Sequence, residues 1–274
     1  MKLQDKFIEL RGKRQGILAT NFYNYETLKG VLSAAKAMEQ PIVLQLTRSS
    51  IEYMGLPVAF QMAKSMLDYY GVEGWVHLDH GDSYELVAQC LDAGFDSVMI
   101  DASEKSFGEN VAITSKVVKL AESYGANVEA ELGYIAKLGQ DKVKGGFTQP
   151  MEAKKFVDAT GINALAIAIG TAHGFYDKEP ELQLDRLSEI AAITNATLVL
   201  HGGSGVPRDS LREAVDRGIC KINLATEIKN IFMQTLKVKL LTNEEIDLRK
   251  VFPVATDQIV ELVKDKLDIV KNIK

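Results

Sequence analysis

The chain has 274 residues, 46% of them hydrophobic and 25% charged, the proportions of a globular protein able to bury a sizeable core. Lys and Arg total 32 against 37 Asp and Glu, and the resulting charge of −5 excludes the basic excess of a general nucleic-acid or anionic-membrane binder. It leaves room for a small anionic ligand in a local pocket.

Eight short apolar runs recur along the chain: GILATN (16–21), PIVLQL (41–46), WVHLD (75–79), SVMID (97–101), NVEAE (127–131), ALAIAIG (164–170), TLVLHG (197–202) and ICKIN (219–223). Several are nearly continuous in Val, Ile, Leu and Ala, as strands buried on both faces require. Amphipathic segments such as YETLKGVLSAAKAME and ENVAITSKVVKLAESYG separate them, and strands alternating with helices imply parallel pairing through right-handed crossovers. Eight such units match an α/β architecture of the (β/α)8 TIM-barrel type. A doubly wound open sheet would carry a glycine fingerprint after its first strand, and GILATNFYN has none. Two further helical patterns follow Thr242, parted near Pro253, and no linker or composition break divides the chain. One barrel domain over 1–274 with additional C-terminal helices is therefore expected.

No apolar run reaches the roughly 18 residues of a membrane span, and the first residues lack the apolar stretch of a signal peptide. Two cysteines, Cys90 and Cys220, make no disulfide scaffold, so the expected location is cytoplasmic.

In a barrel of this kind the chemistry gathers where the strands end. Those ends place Asn21 on strand one, Asp79 and His80 on strand three, Asp101 on strand four and Glu131 on strand five. His173 follows strand six in GTAHGFY, His201 ends strand seven and Asn223 ends strand eight. Three of the chain's four histidines thus converge on one rim, and three neutral imidazoles with an open fourth position form a catalytic zinc site. His77 lies one layer deeper and is assigned to the core or to a supporting position. Asp79, beside the metal, is suited to moving a substrate hydroxyl proton, its other reading being an N-cap for GDSYELVAQCL, a role that Asp82 or Ser83 fills equally well. Glu131 is either a buried partner of the site or a proton-handling group. Asp101 reads chiefly as an orienter of a histidine.

The glycine clusters GTAHG (170–174) and HGGSG (201–205) bring backbone amides and a hydroxyl to the same rim, and the second runs into a helical pattern after Pro207. A glycine-rich loop ahead of a helix N-terminus is a phosphate cradle. Thr226 in NLATE adds a hydroxyl at another helix start.

These segments resemble the class II, zinc-dependent ketose-bisphosphate aldolases. LDHG, VEAELG, GTAHGFY, LHGGSGVP and KINLATE occur in the family's order, and the likeness runs from about Leu3 to the C-terminal helices. It implies reversible cleavage of a ketose bisphosphate into dihydroxyacetone phosphate and an aldehyde. By the same likeness, zinc is held by His80, His173 and His201 and stabilises the enediolate. Asp79 takes the proton from the C4 hydroxyl, and Glu131 lies near the zinc in a second site. The dihydroxyacetone phosphate half is bound by Gly174, Gly202, Ser204, Asn223 and Thr226, with Asn21 a further substrate contact. The likeness also implies a monovalent cation, Na+ or K+, at the phosphate and assembly as a homodimer or homotetramer.

The likeness is uneven. Where the family commonly has serine in a VSEGA-like stretch, LTRSS offers Thr47, which keeps a substrate-binding hydroxyl, followed by a bulky Arg48. The loop KLGQDKVKGGFTQP (137–150) is shorter and less acidic than usual, with only Gln140 or Asp141 near the place of a proton-handling glutamate. Many fructose-bisphosphate members read NIDTD followed two residues later by arginine; at the corresponding aspartate and arginine this chain has Ala225 and Lys229, a pattern closer to tagatose-bisphosphate aldolases. Lys229 is a candidate for the far phosphate, as a point charge rather than a fork. An aldolase acting on another phosphorylated or sulfonated ketose phosphate, and a zinc hydrolase on the same barrel, are the alternatives.

Overall fold

In the computed structural model, which describes residues 1–133, 135, 146–242 and 244–271, strands and helices alternate throughout. The first half runs α1 (Leu3–Gly12), β1 (Ile17–Asn21), α2 (Tyr25–Met38), β2 (Ile42–Thr47), α3 (Arg48–Met54), α4 (Leu56–Tyr70), β3 (Gly74–Gly81), α5 (Tyr84–Ala93) and β4 (Ser97–Ile100). Then follow α6 (Phe107–Glu122), β5 (Asn127–Leu132), α7 (Pro150–Thr160), β6 (Ala164–Ile167), α8 (Leu184–Ile193), β7 (Thr197–Leu200), α9 (Arg208–Asp216) and β8 (Ile219–Leu224). The last described elements are α10 (Thr226–Leu241), α11 (Leu248–Val251) and α12 (Pro253–Lys271).

All eight strands pair in parallel and β1 closes on β8, so the barrel expected from the eight apolar runs is the one observed. β6 and β7 stop earlier than their apolar runs, at Ile167 and Leu200. Gly170 and Gly202 beyond them have φ of 115° and 68°, a left-handed backbone that a strand ladder cannot hold. Helix starts follow local capping chemistry: Asn24 with Thr27 and Ser106 with Glu109 form capping boxes for α2 and α6. Pro253 begins α12, which lies against α2 where Gly30 lets Ile259 approach. A Cβ on Gly30 would sit 2.8 Å from Ile259. No helix among the described residues is long and apolar enough to cross a membrane.

Strand alternation sorts the interior. Outward residues such as Leu18, Leu44, Leu78, Val98, Ile167 and Leu200 join the helices in one large core. Inward residues at the N-terminal end, including Ile17, Val43, Trp75, Ala166 and Val199, pack with Leu3, Phe7 and Leu10 of α1, which plugs the barrel floor. Above that floor the inward residues turn polar: Gln45, His77, Ser97, Asn127, Glu129 and Lys221 are all buried. Higher still come Asn21, Asp79, Glu131, His201 and Asn223, at the C-terminal rim. Phe7 is fully buried in the floor. Phe7→Ala is therefore expected to cost about 3–5 kcal/mol in urea unfolding. Because the floor lies at the barrel end away from the rim, kcat should change little.

Candidate active site

β3 delivers two neighbouring side chains to the rim, which alternation alone forbids. Asp79 points inward with His77, so His80 should point out toward the helices. Instead the β3–β4 register shifts between Leu78 and Gly81, and His80 adopts φ of 52°. This bulge turns the imidazole back over the barrel mouth. A left-handed conformation at a non-glycine residue stores strain, and such strain concentrates at functional sites. Ser83, not Asp79, caps α5, leaving the Asp79 carboxylate to the rim.

The three imidazoles meet there. Ring centroids of His80 and His201 lie 4.7 Å apart, those of His80 and His173 4.9 Å, and those of His173 and His201 5.9 Å. One nitrogen from each falls within 4.8 Å of the others. Each of two rings is held from outside by a carboxylate: His80 Nδ1 bonds Asp101 Oδ2 at 2.9 Å, and His201 Nε2 bonds Glu129 Oε1 at 2.9 Å. Carboxylates accept only, so both outer nitrogens carry the proton and both inner nitrogens present lone pairs. Those inner atoms, His80 Nε2 and His201 Nδ1, stand 3.0 Å apart. Two converging lone pairs need a cation between or beside them, a proton or a metal. Burial lowers the His80 pKa, but Asp79, Asp101 and Glu131 outweigh it and raise the value to about 9. An all-nitrogen set with carboxylates behind it fits zinc.

Asp79 is buried beside this group, 3.9 Å from His80 Nε2. Asn21 donates to its Oδ2 at 3.0 Å and Asn223 to its Oδ1 at 3.4 Å. Burial alone would raise its pKa; the charges of His80, His201 and Lys221 and the Asn21 bond outweigh that and hold it below the usual range. Glu131 Oε2 lies 3.7 Å from His201 Nδ1, and Glu131 groups with His80 and Asp101 in a second set of converging donor atoms.

The glycine loops adjoin the imidazoles. Tyr176 Oη donates to the Gly202 carbonyl at 2.8 Å and lies 2.9 Å from the Ala172 amide, tying the β6–α8 and β7–α9 connections together. The Gly205 amide donates to Glu227 Oε1 at 2.6 Å, and Ser204 Oγ accepts from the Glu227 amide at 3.3 Å. Ser204 thus keeps its O–H for a ligand, and Ala225 gives α10 no side-chain cap where Thr226 begins the helix. A helix N-terminus beside glycine amides favours an anion. A Cβ on Gly202 would meet the Ala172 carbonyl oxygen at 2.4 Å. Gly202→Ala is expected to cost about 2 kcal/mol or more in chemical denaturation, from left-handed strain plus this clash.

Two candidates stand apart from the imidazoles. The Thr47 hydroxyl accepts from the Ser50 amide as the N-cap of α3, while Arg48 turns away to Asp82, Ser83 and Glu52. The Lys229 ammonium sits over the Tyr23 ring, 5.5 Å from its centroid, in a cleft of about 470 Å³ with Asn24, Ser49 and Tyr53. Tyr23 follows the C-terminal end of β1, which places this cleft next to the rim, and burial and nearby Asp79 push its phenol up. Gln140 and Asp141 lie outside the described residues. Sequence reasoning passed over Glu129 and Lys221, although each stands two residues before a rim candidate on its strand, Glu131 and Asn223, and so shares its face.

A closed parallel barrel with imidazoles, carboxylates and an anion-favouring helix start on its C-terminal rim defines a (β/α)8-barrel enzyme with a candidate metal centre. The chain belongs to the family described as fructose-bisphosphate aldolase class-II, which matches residues 2–274. It is a class II aldolase, a lyase acting on a carbon–carbon bond. The YdjI aldolase from Escherichia coli K12 is similar, at 29% identity and a TM-score of 0.87, over 99% of this chain and 97% of that one. A candidate fructose-1,6-biphosphate aldolase from Coccidioides immitis is 28% identical, with a TM-score of 0.89 over 97% and 94% of the two chains. The fructose-bisphosphate aldolase of Campylobacter jejuni, 20% identical, shares the fold at a TM-score of 0.84 over 99% of this chain and 94% of that one.

Proposed function

We propose that this aldolase, with zinc held by His80, His173 and His201, cleaves a ketose 1,6-bisphosphate of the tagatose or fructose type to dihydroxyacetone phosphate and an aldehyde such as glyceraldehyde 3-phosphate. The observation that carries the reading is the convergence of imidazole nitrogens, two of them backed by carboxylates, beside a buried, ionised Asp79. Bound zinc supplies Lewis acidity toward the substrate carbonyl.

The chain's own groups do the rest. Asp79 accepts the C4 hydroxyl proton as the C3–C4 bond breaks. Asn21 and Asn223 hold it there by their amide N–H groups, and their carbonyl oxygens, buried and without a hydrogen-bond partner among the described residues, are acceptors for sugar hydroxyls. Glu131 is assigned to proton handling near the metal. Gly174, Gly202, Ser204 and Thr226 hold the near phosphate at the start of α10, with Na+ or K+ assisting. Thr47, whose hydroxyl caps α3 and lies 3.1 Å from both the Ser49 and Ser50 hydroxyls, is assigned a substrate contact that replaces one of these hydroxyl bonds. Lys229 takes the far anionic group. A single cation over an aromatic ring, rather than an arginine fork, also suits a different phosphorylated or sulfonated ketose phosphate. The reading extends to a cytoplasmic homodimer or homotetramer; buried, unpaired Cys90 and Cys220 suit a reducing compartment.

The test is coupled detection of dihydroxyacetone phosphate from tagatose and fructose 1,6-bisphosphates, with and without a chelator. Activity is expected with at least one C4 epimer and is expected to vanish on chelation. Full activity after complete zinc removal would sink the zinc assignment.

A further inference from the structure

Beneath the rim lies a buried ion pair, Glu129 with Lys221, of which the chemistry above uses only the Glu129 bond to His201 and the Lys221 charge near Asp79. Glu129 and Lys221 are both fully buried in the barrel interior. Glu129 divides its oxygens: Oε2 accepts from Lys221 Nζ at 2.8 Å, and Oε1 accepts from His201 Nε2 at 2.9 Å. His77 Nε2 is 3.9 Å from Oε2, while its Nδ1 bonds Ser97 Oγ at 2.7 Å. The Gln45 amide, set with its oxygen toward Lys221 Nζ at 3.3 Å and its nitrogen toward the Ala19 carbonyl, completes the surroundings. A buried ion pair is costly, and apolar residues of similar volume commonly fill such a place at no loss of stability. Its use here lies in what it imposes on the ring above.

An ammonium group has donors only, so whatever stands at position 129 must turn an acceptor toward Lys221. A carboxylate does so and still has a second acceptor for His201. The His201 proton is thereby kept on Nε2, and the Nδ1 lone pair faces His80 Nε2, 3.0 Å away. We propose that Lys221 and Glu129 act together as positioning residues that fix the tautomer of His201, Lys221 dictating how the group at 129 is turned. The inference rests on the reading that His80, His173 and His201 hold zinc.

Glu129→Gln separates this role from mere packing. Lys221 would claim the new amide oxygen, leaving the NH2 against His201 Nε2. That nitrogen must then accept, and the proton moves to Nδ1, where it blocks the metal. Exchanging a carboxylate for an amide under a catalytic imidazole is known to give the wrong tautomer with intact geometry. Removing the dictating charge in the double variant Glu129→Gln/Lys221→Met frees the amide to present its oxygen to His201 again.

The experiment is a Zn2+ titration of metal-stripped protein in competition with a chromophoric chelator, on the wild type and both variants, with circular dichroism to establish folding. Glu129→Gln is expected to weaken zinc binding roughly 10- to 100-fold. The double variant is expected to recover most of that loss. Wild-type affinity in folded Glu129→Gln, or a folded double variant that binds no better than the single one, overturns the proposal. In a parallel arm, 15N NMR of the histidine rings in metal-stripped wild-type protein is expected to show His201 protonated at Nε2. A ring protonated at Nδ1 alone overturns the proposal whether or not the variants fold. A wild-type chain that binds no Zn2+ overturns the zinc reading instead, and the NMR arm still decides the tautomer.

Discussion

Asp79→Asn is expected to lower kcat by about 10²- to 10⁴-fold, the usual contribution of a positioned general base, with KM and zinc content nearly unchanged. The substitution keeps the side chain's shape, so Asn21 still has an oxygen to donate to and the strand bulge at His80 is undisturbed. What disappears is the ability to accept a proton. Asp79 holds that ability at neutral pH because the charges of His80 and Lys221 and the Asn21 hydrogen bond offset the burial that would otherwise keep its carboxyl protonated. Since its folded pKa lies below the ordinary carboxylate value, it remains ionised throughout the neutral range. Steady-state kinetics on the preferred ketose bisphosphate, with elemental analysis for zinc, checks both halves of the expectation. Undiminished turnover at full zinc content would remove Asp79 from the mechanism, and zinc loss would show that its role is electrostatic support of the imidazoles.

The barrel was legible because each strand is buried on both sides, so that ALAI reads as a continuous apolar run and IVLQLT as one broken only by Gln45 before its last residue, Thr47. The rim was legible because polar residues interrupt those runs at their C-terminal ends. What local reading missed depends on partners distant in sequence. His80 reaches the site through a register shift against β4, a property of two strands together. Glu129 answers to Lys221, 92 residues later, and only strand closure brings them into one layer. The Thr47 hydroxyl is a different case. Thr at a helix start with Ser three residues on is local capping chemistry, and the structure spends one of its lone pairs on that bond. Its parity with Asp79 in the β2–β3 register nevertheless leaves it beside the rim.

His173 offers the sharpest separation of metal binding from folding. His201 is fully buried on Glu129, and His80 is tied to Asp101 and set in a bulge, so truncating either disturbs its surroundings. His173 instead sits half-buried in the β6–α8 connection, between Gly170 and Gly174, both in left-handed backbone. Its ring meets His80 and His201 edge to face, and its basicity is lowered to about 3 by burial and by those two neighbours. A ring so disfavoured as a cation is a neutral lone-pair donor, the form a metal requires. His173→Ala is therefore expected to leave the zinc-free protein within about 1 kcal/mol of the wild type, since no buried partner among the described residues loses a hydrogen bond. Zinc should stabilise the two chains very differently. At a free concentration a thousandfold above Kd, the wild type gains about 4 kcal/mol by linkage. A two-imidazole site with much weaker affinity gains little at the same concentration, and aldol cleavage should fall with it. Thermal melts with and without Zn2+, beside turnover at matched zinc, read both effects. Equal zinc stabilisation in the variant would place the metal on some other set of donors, of which His80 with Asp101 and Glu131 is the nearest at hand.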